Sequence, residues 1–103
     1  MTNGLPEKIQ FLCEELIEKK AEKIKVYYVS KQGNVTDYFI FCNGSSDTHT
    51  KALADHVEEK FREKGERVSF KEGFSDGRWV ILDYIDFVTH FFIPSLREYY
   101  HID

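Results

Sequence analysis

Residues 78–92 read RWVILDYIDFVTHFF, and their pattern decides the fold class. Two apolar runs rich in β-branched and aromatic residues, 78–82 and 87–92, flank Asp83-Tyr84-Ile85-Asp86. Runs this short, built from Val, Ile, Phe and Trp, are strand signals. Apolar side chains on both faces place them in the middle of a sheet. The intervening residues then make a hairpin. A carboxylate is seldom fully buried unless paired, so Asp83 and Asp86 are expected at its mouth.

The flanking chain supplies partners for that hairpin. Upstream, residues 72–77 (EGFSDG) make a loop, and 67–71 a short strand whose charges suit a sheet edge. Before it, Leu53, Val57 and Phe61 recur on one side of a helix that runs to about Lys64, with Gly65 placed to end it. Asn43-Gly44-Ser45-Ser46-Asp47 opens that helix, with Ser46 or Asp47 as its cap. It also ends a strand over 36–42 (TDYFIFC). Earlier still, the turn Lys31-Gln32-Gly33-Asn34 follows a strand over 26–29. The chain begins with an amphipathic helix from about Pro6 to Lys23, carried by Ile9, Leu12, Leu16, Ile17 and Ala21. Downstream, Pro94 starts a short helix over 95–100, packed by Leu96 and Tyr99. The order is α-β-β-α-β-β-β-α: one α/β domain over residues 1–103, a mixed five-stranded sheet flanked by helices.

Composition narrows the function. With 42% hydrophobic and 16% aromatic residues the chain can build a core. A net charge of −4 argues against a broad phosphate-binding surface and suits a basic protein partner. Cys13 and Cys42 have neither metal-ligand spacing nor disulfide density, which points to reduced core thiols in a reducing compartment. No basic-then-apolar leader and no apolar run near ~18 residues is present, so a cytoplasmic protein is expected.

The chemistry-bearing residues each admit two readings. Asn43–Asp47 lies where backbone N–H groups hold anions, but it lacks the lysine of a P-loop and the third glycine of a dinucleotide fingerprint. Gly44-Ser45 is also what nucleotidyltransferases place beside a triphosphate. Those enzymes need closely spaced carboxylates for magnesium, and here Asp83 and Asp86 are separated by two residues across a turn. Asp37, Asp83 and Asp86 are either a converging acid group or solvated strand ends. His49, His56, His90 and His101 show no metal spacing, and His90 reads as a core or interface histidine. Trp79 is equally a core residue and, with Tyr and Asp around it, an interface hot spot.

These residues, taken together, carry a resemblance. Thr36-Asp37-Tyr38-Phe39-Ile40, Gly44-Ser45-Ser46-Asp47, Lys51-Ala52-Leu53-Ala54-Asp55, Glu72-Gly73, Trp79-Val80-Ile81-Leu82-Asp83-Tyr84, Asp86-Phe87-Val88-Thr89-His90-Phe91-Phe92 and Arg97-Glu98-Tyr99-Tyr100 follow the order and spacing of the ribosomal silencing factor family, the Iojap-related group. The chain resembles that family over essentially its whole length. The resemblance implies a nucleotidyltransferase-like fold without the catalytic set, hence no enzyme and no cofactor. It implies a translation repressor that binds the large ribosomal subunit at its L-fourteen family protein and sterically blocks subunit joining, with homodimers also seen among members.

The contact patch expected under that resemblance is Trp79, Asp83, Tyr84 and Asp86, with Lys51 and Arg97 beside it. No metal and no direct nucleic-acid site belong to this reading. The competing reading is a minimal nucleotidyltransferase-like enzyme using Gly44-Ser45 and the aspartates. Three departures from the family pattern stand out. Ile85 replaces a usual Gly, Tyr28 replaces a usual Asp, and the printed sequence ends at Asp103 before the usual acidic-Leu-Trp ending.

Overall fold

Val80 and Leu82 alternate with Trp79 and Ile81, and a strand sends alternate side chains to opposite faces. The hairpin therefore has two apolar faces to satisfy. A computed structural model, which describes residues 4–29 and 37–101, shows how. Its elements are α1 (Glu7–Glu18), β1 (Glu22–Tyr28), β2 (Tyr38–Asn43), α2 (Asp47–Glu63), β3 (Phe70–Glu72), β4 (Trp79–Asp83), β5 (Phe87–Phe92) and α3 (Pro94–Tyr99). The strands form one five-stranded sheet in the order β1-β2-β5-β4-β3. β2 and β5 pair in parallel, and the other neighbours are antiparallel. The element order and the mixed sheet are those expected, with the hairpin strands at the centre.

One face of the sheet packs on α1 and α2. Ile40, Cys42, Val80, Leu82, Phe87 and Phe91 join Ile9, Leu12, Leu16, Leu53, Val57 and Phe61 in a single buried cluster. The rings of Phe61 and Phe87 lie 5.3 Å apart, so α2 is seated directly on β5. Both cysteines are free thiols within this core. Burial pushes the Cys42 thiol up to about 12, which keeps it an unreactive packing residue.

α2 starts and stops as its sequence requires. The Ser46 hydroxyl accepts the His49 backbone N–H at 3.1 Å, while the Asp47 carboxylate turns to the Thr48 N–H. At the other end Gly65 takes φ 84°, a conformation that costs glycine little.

Three boundary readings and two packing readings are corrected. α1 ends at Glu18 rather than near Lys23, because Lys20 adopts φ 68° and the Ala21 N–H reaches back to the Leu16 carbonyl. A glycine usually marks such a stop, and none is present to signal it. The residues released start β1 four positions early, at Glu22, with a bulge before Lys25. Ile17, counted on the apolar stripe of α1, is 54% exposed. β3 starts at Phe70, three residues later than expected, since the pairing partner Asp83 sets its beginning. Tyr99 is 74% exposed and does not pack α3, which is held instead by Arg97. The expected turn at 31–34, and Thr36 at the start of its strand, lie outside the described residues.

Candidate docking face

Among the described residues, the second face of the sheet has no counterpart to α1 and α2. The strand registers align Tyr27 with Phe39, Phe41 with His90, Ile81 with His90, and Trp79 with Phe92, all on this side. Phe39, Phe41, Trp79, Ile81 and His90 are half-buried, and Tyr27 and Phe70 at the margins are exposed. These rings cover one another at edge-on, tilted and stacked angles. Phe41 sits 5.6 Å from Tyr27, 5.1 Å from His90 and 6.1 Å from Phe92. At one end α3 and the residue after it reach this side: Tyr100 lies 5.8 Å from Trp79, Leu96 shares a groove with Trp79, and Arg97 bonds Asn43, which is in register with Phe92. Contiguous apolar surface of this kind on a small domain marks a contact site.

Trp79 is held from three directions. Its ring lies on Phe92 at 5.1 Å and 35°, against Tyr100, and its Nε1–H donates to His90 Nδ1 at 3.0 Å. That bond requires an unprotonated Nδ1, so His90 is neutral with its proton on Nε2. Burial lowers the His90 pKa to about 4, with the nearby Asp83 carboxylate opposing the shift. Gly73 makes room for this strand: a Cβ there would fall 2.0 Å from the Trp79 carbonyl oxygen. A groove of about 610 Å³ borders the indole, lined by Glu72, Gly73, Asp76, Arg78, Ile81 and Leu96.

The expected contact residues do not form one patch. Asp83 shares the face with Trp79 but stands at the other end of β4, about 13 Å away by strand rise. Its carboxylate accepts the Ile85 N–H at 2.8 Å. Asp86 lies beyond the turn and pairs with Lys8 of α1 at 3.1 Å. Lys51 leans over the β3–β4 loop, its Nζ 3.5 Å from the Ser75 carbonyl.

Tyr84 and Arg97 are corrections. Tyr84 is 5% exposed, stacked on Phe87 at 4.9 Å with its hydroxyl buried and no partner for it among the described residues. Desolvation pushes that phenol up to about 12. Arg97 is 4% exposed and donates to the Lys23 carbonyl and to Asn43 Oδ1 at 2.7 and 2.9 Å. It clasps α3 to the start of β1 and the end of β2, so its guanidinium meets chain rather than partner. Phe39, Phe41 and Ile81 were missed as surface residues. Continuous apolar runs read as strands covered on both faces, and a sequence does not say where helices run out.

The ingredients of the enzymatic reading are far apart. Asp37, Asp83 and Asp86 do gather at one end of the sheet, where the Asp37 N–H donates to the Asp86 carbonyl at 2.9 Å. Gly44-Ser45 follows β2 at the opposite end, about 20 Å away over six residues. Among the described residues no group of three or more His, Cys, Asp or Glu is arranged to hold a metal ion. The Ser45 hydroxyl and N–H face His49 Nδ1 at 3.1 and 2.8 Å, which uses this turn for local bonding.

Comparison with known proteins decides the family. The model described as "Ribosomal silencing factor during starvation" matches residues 2–103. The chain belongs to that family. It is 36% identical over 86 residues to the ribosomal silencing factor RsfS of Bacillus subtilis, covering 84% of this chain and 73% of that one. A protein of the same name from Halalkalibacterium halodurans is 29% identical, with 94% and 83% covered. A crystal structure of a Chromobacterium violaceum protein superimposes with TM-score 0.87 at 33% identity, covering 93% of this chain and 80% of that one. A Bacillus halodurans structure gives 0.81 at 31%, covering 93% and 90%. In this chain an isoleucine takes positive φ at the hairpin turn. Ile85 sits at φ 79° and is 59% exposed.

Proposed function

We propose that this protein represses translation by docking its open sheet face on the large ribosomal subunit, at the L-fourteen family protein, so that the small subunit cannot join. The observation that carries the reading is the unpaired aromatic face with a rigidly held Trp79 in it, on a chain of this family. Trp and Tyr in a half-buried apolar patch are the composition of interface hot spots. Asp83 on the same face and Glu72 at its margin offer carboxylates to a basic partner, alongside Lys25 and Arg78, on a chain whose overall charge is −4. Such a rim steers a basic ribosomal protein into register. Asp86 and Lys51 belong to the outer rim, Tyr84 supports the sheet from its core side, and Arg97 fixes α3 at the end of the face. The action is occlusion, with no bond made or broken.

A second copy of the chain is the competing occupant of the same face, which makes a homodimer a resting form whose dissociation precedes docking. Both sheet edges are poor docking strands. β3 has only three residues and β1 is lysine-bearing and bulged, so the face rather than an edge is the contact.

Sedimentation through sucrose with purified large subunits, small subunits and intact ribosomes tests the reading. Comigration with free large subunits alone, with joining suppressed as protein is added, is the expected result. Comigration with small subunits, or with none, overturns it. Magnesium-dependent nucleotide binding by calorimetry would instead revive the enzymatic reading.

A further inference from the structure

We propose that His90 is a positioning residue for Trp79: its imidazole accepts the indole N–H and so presets the ring for docking. The inference rests on the docking reading for its consequence, but the contact itself stands on geometry. Trp79 and His90 are diagonal neighbours on adjacent strands, because Trp79 lies opposite Phe92 and Ile81 opposite His90. At that spacing only long or aromatic side chains meet across a sheet. Here they meet through a 3.0 Å hydrogen bond as well as through ring contact at 6.1 Å.

An indole has one donor and no acceptor, so a half-buried indole needs an acceptor beside it. Phe92 and Tyr100 lie against the ring of Trp79, and the indole N–H is directed to His90. Histidine is the residue on this face able to accept at that position without carrying charge. Its own ring also stacks on Phe92 at 11° and packs against Phe39 and Phe41, so the acceptor is held as firmly as the donor. A ring already fixed before contact loses less freedom when the partner arrives.

A proton on Nδ1 would turn the acceptor into a donor facing a donor and release the indole. The charged and titratable groups on this side of the sheet, among the described residues, include Asp83 on β4, Glu72 on β3, Asp76 and Arg78 in the loop between those strands, Lys25 and Tyr27 on β1, and Tyr100 after α3. Asp83 favours the proton and burial opposes it, and burial wins. The lock therefore stays closed throughout the neutral range.

Trp79 is the one tryptophan of the chain, so its indole N–H gives a single, unambiguous NMR signal. In the full chain we expect that signal to exchange slowly with solvent and to move with the titration of His90. His90→Phe keeps the apolar area but removes the acceptor. It should speed indole exchange at least about tenfold and weaken large-subunit binding about three- to tenfold, the range that one immobilised side chain is worth. His90→Gln, which restores an acceptor, should recover both. Unchanged indole exchange in His90→Phe, or an indole signal blind to His90 protonation in the wild type, overturns the proposal. So does a released indole with unaltered binding, provided that Trp79→Ala still weakens binding. If Trp79→Ala binds normally, the docking reading fails instead, and the exchange measurement still decides whether the bond exists.

Discussion

The two faces of the central hairpin carry the same kinds of residue and have opposite fates. On one, Val80, Leu82, Phe87 and Phe91 vanish beneath α1 and α2. On the other, Trp79, Ile81 and His90 form a surface that the described chain leaves half open. A covered face contributes to folding in proportion to the apolar area it hides, roughly 25 cal/mol per Å². An open face of similar composition adds little to stability and saves its area for association. The difference therefore lies in use rather than in chemistry, and stability and binding should separate cleanly between neighbouring residues of one strand.

The sharpest way to break that comparison is to truncate adjacent residues of β4. Leu82→Ala should cost about 2–5 kcal/mol in denaturant unfolding, as fully buried leucines do. Ile81→Ala should cost about 1 kcal/mol or less. Equal losses would mean that the second face is also core.

Acid is the next lever. The folded-state pKa of His90 lies below its ordinary value, at about 4 rather than 6.5, so the unfolded chain takes up the proton first. Its contribution is complete above pH 6.5 and disappears as pH falls through about 4, up to roughly 2–3 kcal/mol for a shift of that size. His90→Phe should remove that part of the pH dependence in a thermal melt series, and a slope identical to wild type would refute the assignment.

Trp79→Ala sharpens the other half of the comparison. Affinity for the large subunit should fall by about 2 kcal/mol, some thirtyfold, as for an interface hot spot. The protein should remain folded, and normal binding by that folded variant would discard Trp79 as an anchor.

Smaller effects are expected at the hairpin tip. Ile85 holds a left-handed conformation that β-branched residues resist, and its turn is closed by the Asp86 N–H donating to the Tyr84 carbonyl at 3.0 Å. Ile85→Gly should therefore stabilise the protein by about 1 kcal/mol. A loss of stability would show that the exposed isoleucine makes a contact worth more than its strain. Lys8→Ala, which removes ion pairs to Glu66 and Asp86 at 2.9 and 3.1 Å, should cost less than about 1 kcal/mol because both pairs are solvated.

Much of this architecture is legible in the residues. The two apolar runs around Asp83–Asp86, the helical recurrence of Leu53, Val57 and Phe61, and the Ser46 cap act through neighbours in sequence, so local pattern predicts them. The blocks shared with the ribosomal silencing factors likewise lie in the sequence itself. The stop of α1 at Glu18 was not legible, since Lys20 adopts the left-handed turn where glycine is the usual signal. Tyr84 and Arg97 were misplaced for a related reason. Tyr84 follows β4 into the core, and Arg97 is buried because Asn43 and the Lys23 carbonyl, distant in sequence, meet it there.

Sequence alone thus determined the elements, their order, the central hairpin and the family, because each is encoded in periodicity, capping or runs of neighbouring residues. Only the tertiary structure decided which apolar face is hidden. Periodicity says that a side chain is apolar and which way it alternates. Whether a helix arrives to cover it depends on where the chain travels between strands. Here α1 and α2 settle on one side, and Trp79, bonded to His90, is left facing outward on the other.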